Sequence, residues 1–197
     1  LKTPSLRFAG WNADAAGDAG ADELFAILAS YEAGVGADIE SENGAEDLSC
    51  IFCTSGTTSK PKSVVYNHMA YWLNGLNTLD MLGLTEDDKT LEYRSFGWNS
   101  AQILSLMPWL QTGLTMHIAQ RFSRSRFFGW LRDFAPTMVI GVPTVINILL
   151  EHDPSPEDVA ATRKLRFMSS STAPLMVEQH RRFEDTYVVE LVQLYGM

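Results

Sequence analysis

One stretch of eleven residues is crowded with groups that bind anions: Cys53-Thr54-Ser55-Gly56-Thr57-Thr58-Ser59-Lys60-Pro61-Lys62-Ser63. Thr54, Ser55, Thr57, Thr58 and Ser59 bring hydroxyls, Gly56 lets the backbone fold tightly, and Lys60 and Lys62 place ammonium groups on either side of Pro61. So polar a segment does not belong in a core. Its hydroxyl, ammonium and backbone N–H donors together suit a multivalent anion, above all a polyphosphate. The mononucleotide pattern G-x-x-x-x-G-K-[ST] does not fit, because no glycine precedes Lys60 or Lys62. The dinucleotide fingerprint G-x-G-x-x-G is absent as well.

Three further stretches carry chemistry. Ser169-Ser170-Ser171-Thr172-Ala173-Pro174-Leu175 is a hydroxyl-rich passage from a strand to a helix. Gln193-Leu194-Tyr195-Gly196-Met197 offers an aromatic face with a glycine turn behind it. Ser95-Phe96-Gly97-Trp98-Asn99-Ser100 follows an apolar run. Each also has a plain structural reading: a cap at Thr172, a buried tyrosine at Tyr195, a core tryptophan at Trp98. His68, His117, His152 and His180 are scattered without metal-ligand spacing.

The hydroxyl loop resembles the phosphate loop of the adenylate-forming (AMP-binding) superfamily, [ST]-S-G-[ST]-T-G-x-P-K-G, in eight of ten positions. Ser59 and Ser63 stand where glycine is usual, and at Ser59 the chain is similar to the carnitine–CoA ligase group. The later stretches resemble the same family in the same order. Ser170 to Leu175 is similar to its S-G-G-A-P-L segment, with Thr172 in place of a glycine. Gln193 to Gly196 is similar to the start of its Y-G-x-T-E motif.

The resemblance implies that Thr54, Ser55, Gly56, Thr57, Thr58, Ser59 and Lys62 hold ATP phosphates. It implies that Ser171, Thr172, Ala173, Gln193, Tyr195 and Gly196 hold the adenosine, and that Phe96, Gly97 and Trp98 help to form an acyl pocket. It further implies a carboxylate substrate, ATP with Mg2+, and coenzyme A. The reaction would give an acyl adenylate and then a thioester. No catalytic residue and no metal ligand is expected among these residues. The implied magnesium ligand, ribose-binding aspartate and catalytic lysine would lie downstream. On this reading the chain is part of an AMP-binding N-terminal domain, with portions missing on both sides. Gly97 stands where amino-acid adenylation domains carry Asp, and an unpaired buried ammonium is costly, so a carboxylic acid is favoured over an amino acid. A short polar acid and a medium-chain fatty acid both remain compatible. Two alternatives stay open: an amino-acid adenylation domain, and a non-catalytic nucleotide-binding remnant.

The elements that position these stretches alternate. Leu48–Cys53 and Val64–Tyr66 read as strands around the hydroxyl loop. Asn67 caps a helix with Met69, Trp72, Leu73, Leu76 and Leu79 at helical spacing, ended by Gly83. Strands are expected at 90–95, 114–119, 137–142, 165–170 and 187–194. Helices are expected at 100–110 (kinked or cut short by Pro108), from Ser123, from Pro143 to about Glu151, and at 175–183. His152 to Glu157 reads as a loop. Upstream, Leu1–Phe8 reads as a strand end, Gly10–Ala21 as a loop, Asp22–Tyr31 as a helix and Gly34–Asp47 as an acidic loop. The alternation predicts an α/β fold, with layered sheets flanked by helices and parallel strands. If the sheet is parallel throughout, the loops after residues 53, 95, 142, 170 and 194 share one rim.

The chain has 197 residues and a formal net charge of −9. Residues 11–47 hold ten acids and no Lys or Arg, while the rest is close to neutral, which argues against nucleic acid as a partner. Cys50 and Cys53 would point to opposite faces of a strand, a poor arrangement for a disulfide or zinc. Reduced cysteines suit a cytoplasmic protein. The most apolar run, Val139–Leu150, is too short and too interrupted to cross a bilayer.

Overall fold

The computed structural model describes residues 42–53 and 61–196. The expectations for Leu1–Phe8, Gly10–Ala21 and Asp22–Tyr31 lie outside these residues. The described elements run β1 (Leu48–Cys53), β2 (Ser63–Asn67), α1 (His68–Leu82), β3 (Lys89–Glu92), α2 (Asn99–Ala101), a π-turn (Gln102–Leu106), α3 (Met107–Thr112), β4 (Thr115–Ile118), α4 (Arg124–Phe134), β5 (Met138–Gly141), α5 (Pro143–Leu150), α6 (Pro156–Thr162), β6 (Phe167–Ser170), α7 (Val177–Tyr187) and β7 (Leu191–Gln193).

Five strands form one parallel sheet in the order β4-β3-β5-β6-β7. Both faces of this sheet are buried, as expected for strands joined by helical crossovers. Alternation along β5 sends Val139 to one core with Leu91, Phe127, Leu131, Ile146, Met168, Phe183 and Leu191. Met138 and Ile140 go to the other, with Leu82, Leu84, Leu114 and Phe167. Each such fully buried aliphatic side chain contributes roughly 2 kcal/mol.

β1 and β2 form a separate antiparallel pair. This corrects the single-rim expectation: the loop after Cys53 belongs to the hairpin, whereas those after β3, β5, β6 and β7 share the parallel rim. The reason is chain length, since nine residues between Cys53 and Ser63 suffice for a hairpin but not for a crossover helix.

Helix α1 forms where its spacing and caps place it. Its Asn67 cap accepts from the Ala70 N–H at 2.7 Å and Gly83 ends it in the left-handed conformation, as its sequence suggests. Yet Met69, Trp72, Leu73 and Leu76 remain 40 to 46% exposed, and Gly75, Thr78 and Leu82 are buried instead. Gly75 explains the choice. A Cβ there would stand 2.7 Å from Met107 Cβ, so the two helices approach through the missing side chain.

Pro108 does not cut the next helix short. The helix runs through the π-turn and on to Thr112, with Pro108 early in α3. The wider turn before it accommodates a residue that lacks an N–H and crowds the preceding carbonyls. The expected 152–157 loop ends early, because helix α6 takes Pro156 and Glu157; its signal is the capping box of Ser155 and Asp158 with Pro156 at the first position. The residues between Thr186 and Glu190 are helix end and connection rather than strand, because α7 continues to Tyr187. Among the described residues no helix is long and apolar enough to cross a membrane.

The amino edge of the sheet is clamped by three residues, each one position before its strand. Asp88 precedes β3, Thr137 precedes β5 and Arg166 precedes β6. Asp88 accepts from Thr137 Oγ1 at 2.6 Å, from Arg166 at 2.7 and 2.8 Å, and from the Thr85 N–H at 2.9 Å. Burial alone would raise the Asp88 pKa, but the bonds from Thr137, Arg166 and Thr85, with the Arg166 charge, hold it below the usual value. A depressed folded pKa gives stability that is present above the unfolded value near 4 and lost as pH falls through the folded one. Asp88→Asn should therefore cost roughly 1–2 kcal/mol at pH 7, Arg166 being half in solvent, and should flatten the loss of stability between about pH 5 and 3. Urea denaturation across that range checks both.

Candidate functional site

The carboxyl ends of β3, β5, β6 and β7 open on one side, and the turns that leave them carry the candidate residues outside the hydroxyl loop, apart from Gln193 at the end of β7. In strand order the rim reads Phe96-Gly97-Trp98, then Val142-Pro143-Thr144, then Ser171-Thr172-Ala173, then Leu194-Tyr195-Gly196. Ligands of parallel α/β sheets bind at this edge.

The third and last of these groups are direct neighbours, because β6 and β7 pair with Ser170 opposite Gln193. Ser171 is buried, and both its N–H (3.2 Å) and its hydroxyl (3.4 Å) donate to the Gly141 carbonyl, tying this turn to β5. Gly141 must be small: a Cβ there would lie 2.7 Å from the Ser169 carbonyl oxygen. Thr172 and Ala173 are exposed, and Thr172 has φ +74°. The other non-glycine residues with positive φ, Ala135 and Val188, simply end helices. Thr172 does not, and a β-branched residue in that region is strained. Gln193 and Gly196 are exposed, and the Tyr195 ring stands fully in solvent. Tyr195 is thus no ordinary buried tyrosine. The hydroxyls of Tyr93, Ser169 and Ser170, at the same ends of β3 and β6, are buried with no partner among the described residues.

The Ser95–Trp98 turn is closed by the Trp98 N–H donating to the Ser95 carbonyl at 3.0 Å and the Gly97 N–H donating to Ser95 Oγ at 3.1 Å. Phe96 is half-buried, and Gly97 and Trp98 are exposed, so Trp98 is not a core residue. Beneath the turn lies a buried ion pair. Glu92 accepts from Arg94 Nε at 2.9 Å, from a terminal Arg94 nitrogen at 2.6 Å, from the Arg94 N–H at 2.7 Å and from Ser105 Oγ at 2.6 Å. Arg94 also reaches Ser100 and Ser105, each at 3.3 Å. With its partners complete, such a pair fixes geometry more than it adds stability.

Thr54, Ser55, Gly56, Thr57, Thr58 and Ser59 lie outside the described residues. The ends of their loop are placed: Cys53 pairs with Ser63 in the hairpin, with Sγ and Oγ 3.9 Å apart, and Lys62 is exposed just before β2. At the far end of β2, Tyr66 meets the rim elements, its hydroxyl accepting from Asn99 Nδ2 at 3.4 Å. His68 is exposed at the start of α1, its N–H donating to the Asp47 carbonyl at 3.0 Å. Among the described residues no cluster of His, Cys, Asp or Glu is arranged to hold a metal.

Sequence reasoning did not single out Glu92, Arg94, Ser105, Tyr71 or Gln102. The first two had a signal: opposite charges two apart in an apolar strand lie on one face. The last three are brought in only by the π-turn and the helix crossing.

A five-stranded parallel sheet with a hydroxyl-rich carboxyl rim defines an α/β protein. The model of the AMP-binding enzyme family matches residues 7–197, and the chain belongs to that family. It is 31% identical over 183 residues to a probable CoA ligase of Humulus lupulus, covering 90% of this chain and 34% of the relative. It is 28% identical over 153 residues to the crotonobetaine/carnitine–CoA ligase of Salmonella arizonae, covering 77% and 29%. A malonyl-CoA ligase solved with methylmalonyl-CoA and AMP bound superposes with a TM-score of 0.74 at 27% identity, covering 80% of this chain and 34% of that one. The chain spans about a third of the length of these relatives.

The strain at Thr172 is testable without a ligand. Thr172→Gly should raise stability by about 1 kcal/mol, because relief of the left-handed β-branched residue outweighs the entropy glycine adds to the unfolded chain. A matched fall in stability, measured by thermal or urea unfolding, would contradict the assigned backbone.

Proposed function

We propose that this chain is the phosphate- and adenine-binding part of an ATP-dependent carboxylate–CoA ligase. The observation that carries the reading is the pairing of β6 with β7, which sets the strained Thr172 turn beside the exposed Tyr195 at the sheet's carboxyl edge. A flat base fits between a small-residue turn and an aromatic ring. In this reading Ser171, Thr172, Ala173, Gln193, Tyr195 and Gly196 hold the adenosine. Thr54, Ser55, Gly56, Thr57, Thr58, Ser59 and Lys62 grip the β- and γ-phosphates. Phe96, Gly97 and Trp98 line the acid's pocket.

The chemistry is a problem of charge. A carboxylate oxygen attacks the α-phosphorus in line, the bond to the bridging oxygen breaks, and pyrophosphate leaves with that electron pair. The thiolate of coenzyme A then attacks the acyl carbon and AMP departs. No general base is needed for the first step, because the carboxylate is already ionised at neutral pH. What the protein must supply is donors that neutralise the phosphates as the anion approaches, and the hydroxyl loop and Lys62 supply them. The described residues offer no metal-binding cluster, so magnesium is not assigned to any of them. Glu92 is saturated by Arg94 and Ser105, which leaves it no capacity to pair a substrate ammonium beside Gly97. That supports a carboxylic acid over an amino acid.

Two outcomes follow. Purified as these 197 residues, the chain should show no acid-dependent pyrophosphate–ATP exchange; measurable exchange would refute its dependence on further segments. In the complete enzyme, Lys62→Ala should lower adenylation by about 100-fold or more with an unchanged melting temperature, since Lys62 is exposed. Adenylation at the wild-type rate would remove Lys62 from the phosphate site.

A further inference from the structure

Gln102 opens the π-turn and uses both ends of its side-chain amide. Its Nε2 donates to the Phe96 carbonyl, and its Oε1 accepts from the Tyr71 hydroxyl on α1. Among the described residues, the other hydrogen bonds of the Ser95–Trp98 turn are internal or run to the start of the following helix, so the Gln102 bond joins the turn to α1. Burial pushes the Tyr71 pKa up to about 12, so its hydroxyl remains a donor throughout the neutral range. Tyr71 in turn packs edge-on against Tyr66 of β2, with ring centres 6.4 Å apart, and Tyr66 accepts from Asn99. β2 is the strand that leaves the hydroxyl loop.

We propose that Gln102 is a positioning and specificity-determining residue for the acid pocket, and that Tyr71 ties its placement to the hairpin carrying the hydroxyl loop. This rests on the assignment of Phe96-Gly97-Trp98 to the pocket. The amide fixes the height of the Phe96 carbonyl, and with it the positions of Gly97 and Trp98, which face solvent and have little packing of their own. Helical side chains lean toward the N-terminus, so Gln102, in the first turn, reaches back onto the turn that precedes it, and the π-turn begins at this residue. π-turns recur at functional sites because the inserted residue re-aims the side chains around it. The same arrangement joins the pocket turn and the phosphate hairpin into one framework, so that acid and phosphates are held in a fixed relation, as in-line attack requires.

The experiment compares Gln102→Leu and Tyr71→Phe with the control Gln111→Leu. Gln111 also joins this helix to α1, through the Trp72 carbonyl at 2.7 Å, without touching the turn. Hydrogen exchange of the Gly97 and Trp98 amides, followed in the 197-residue chain by mass spectrometry, should speed up about tenfold in Gln102→Leu and several-fold in Tyr71→Phe. The control should leave it unchanged. In the complete enzyme, Gln102→Leu should raise KM for the acid about tenfold or more while KM for ATP stays within about twofold. Exchange equal to the wild type's, or an unchanged KM for the acid, would overturn the inference. Tyr71→Phe removes a single oxygen and reads the same exchange should Gln102→Leu fail to fold. The exchange arm needs no nucleotide, so it is separate from Lys62→Ala, which tests the functional reading itself.

Discussion

Everything at the candidate site depends on five strands running the same way. Parallel register puts every carboxyl end on one edge, and there the turns after β3, β5, β6 and β7 gather. The opposite edge is held by Asp88, Thr137 and Arg166, each just before its strand. With alignment secured at that end, the carboxyl ends are free to carry residues that do nothing for stability. Exposed Trp98, strained Thr172 and solvent-facing Tyr195 all lie on this side.

Several departures from local rules lie toward the carboxyl rim, although the left-handed, β-branched Val188 ends a helix on the other side. A buried ion pair, a helix that widens to a π-turn, a β-branched residue in the left-handed region and orphaned serine hydroxyls all cluster at or next to the carboxyl rim. At the amino edge Asp88, Thr137 and Arg166 pair with one another, while Thr90 Oγ1 nearby is buried with no partner among the described residues. Proteins tend to break such rules where function requires it and obey them elsewhere. The Glu92–Arg94 pair illustrates the balance. Taking two charges out of water is expensive, and hydrophobic replacements of similar volume serve stability as well. What the pair does provide is a fixed exit for the chain, through the Arg94 N–H, into the Ser95–Trp98 turn.

Much of this was legible in the residues. The alternating elements and the parallel sheet followed from apolar runs spaced by capped helices, and Asn67, Gly83 and Pro143 marked boundaries where the structure has them. The ordered motifs from Thr54 to Tyr195 led to the family. What escaped were features set by the meeting of elements. The apolar spacing of α1 marked the helix but not its buried face, because Gly75 admits a neighbouring helix where a larger residue would not. Pro108 suggested a kink or an early stop; the helix does not stop but widens into a π-turn just before it and runs on to Thr112. Helix α6 was hidden by two prolines, one of which opens it. The link from Tyr71 through Gln102 to Phe96 joins residues up to 31 positions apart, which no local pattern reveals.

The most direct measurement is a crystal structure of the complete enzyme with ATP bound. The account predicts the triphosphate lying along residues 54–62, with the base between the Thr172–Ala173 turn and the Tyr195 ring. A nucleotide seated elsewhere, or a hydroxyl loop turned away from the sheet edge that carries Thr172 and Tyr195, would contradict it.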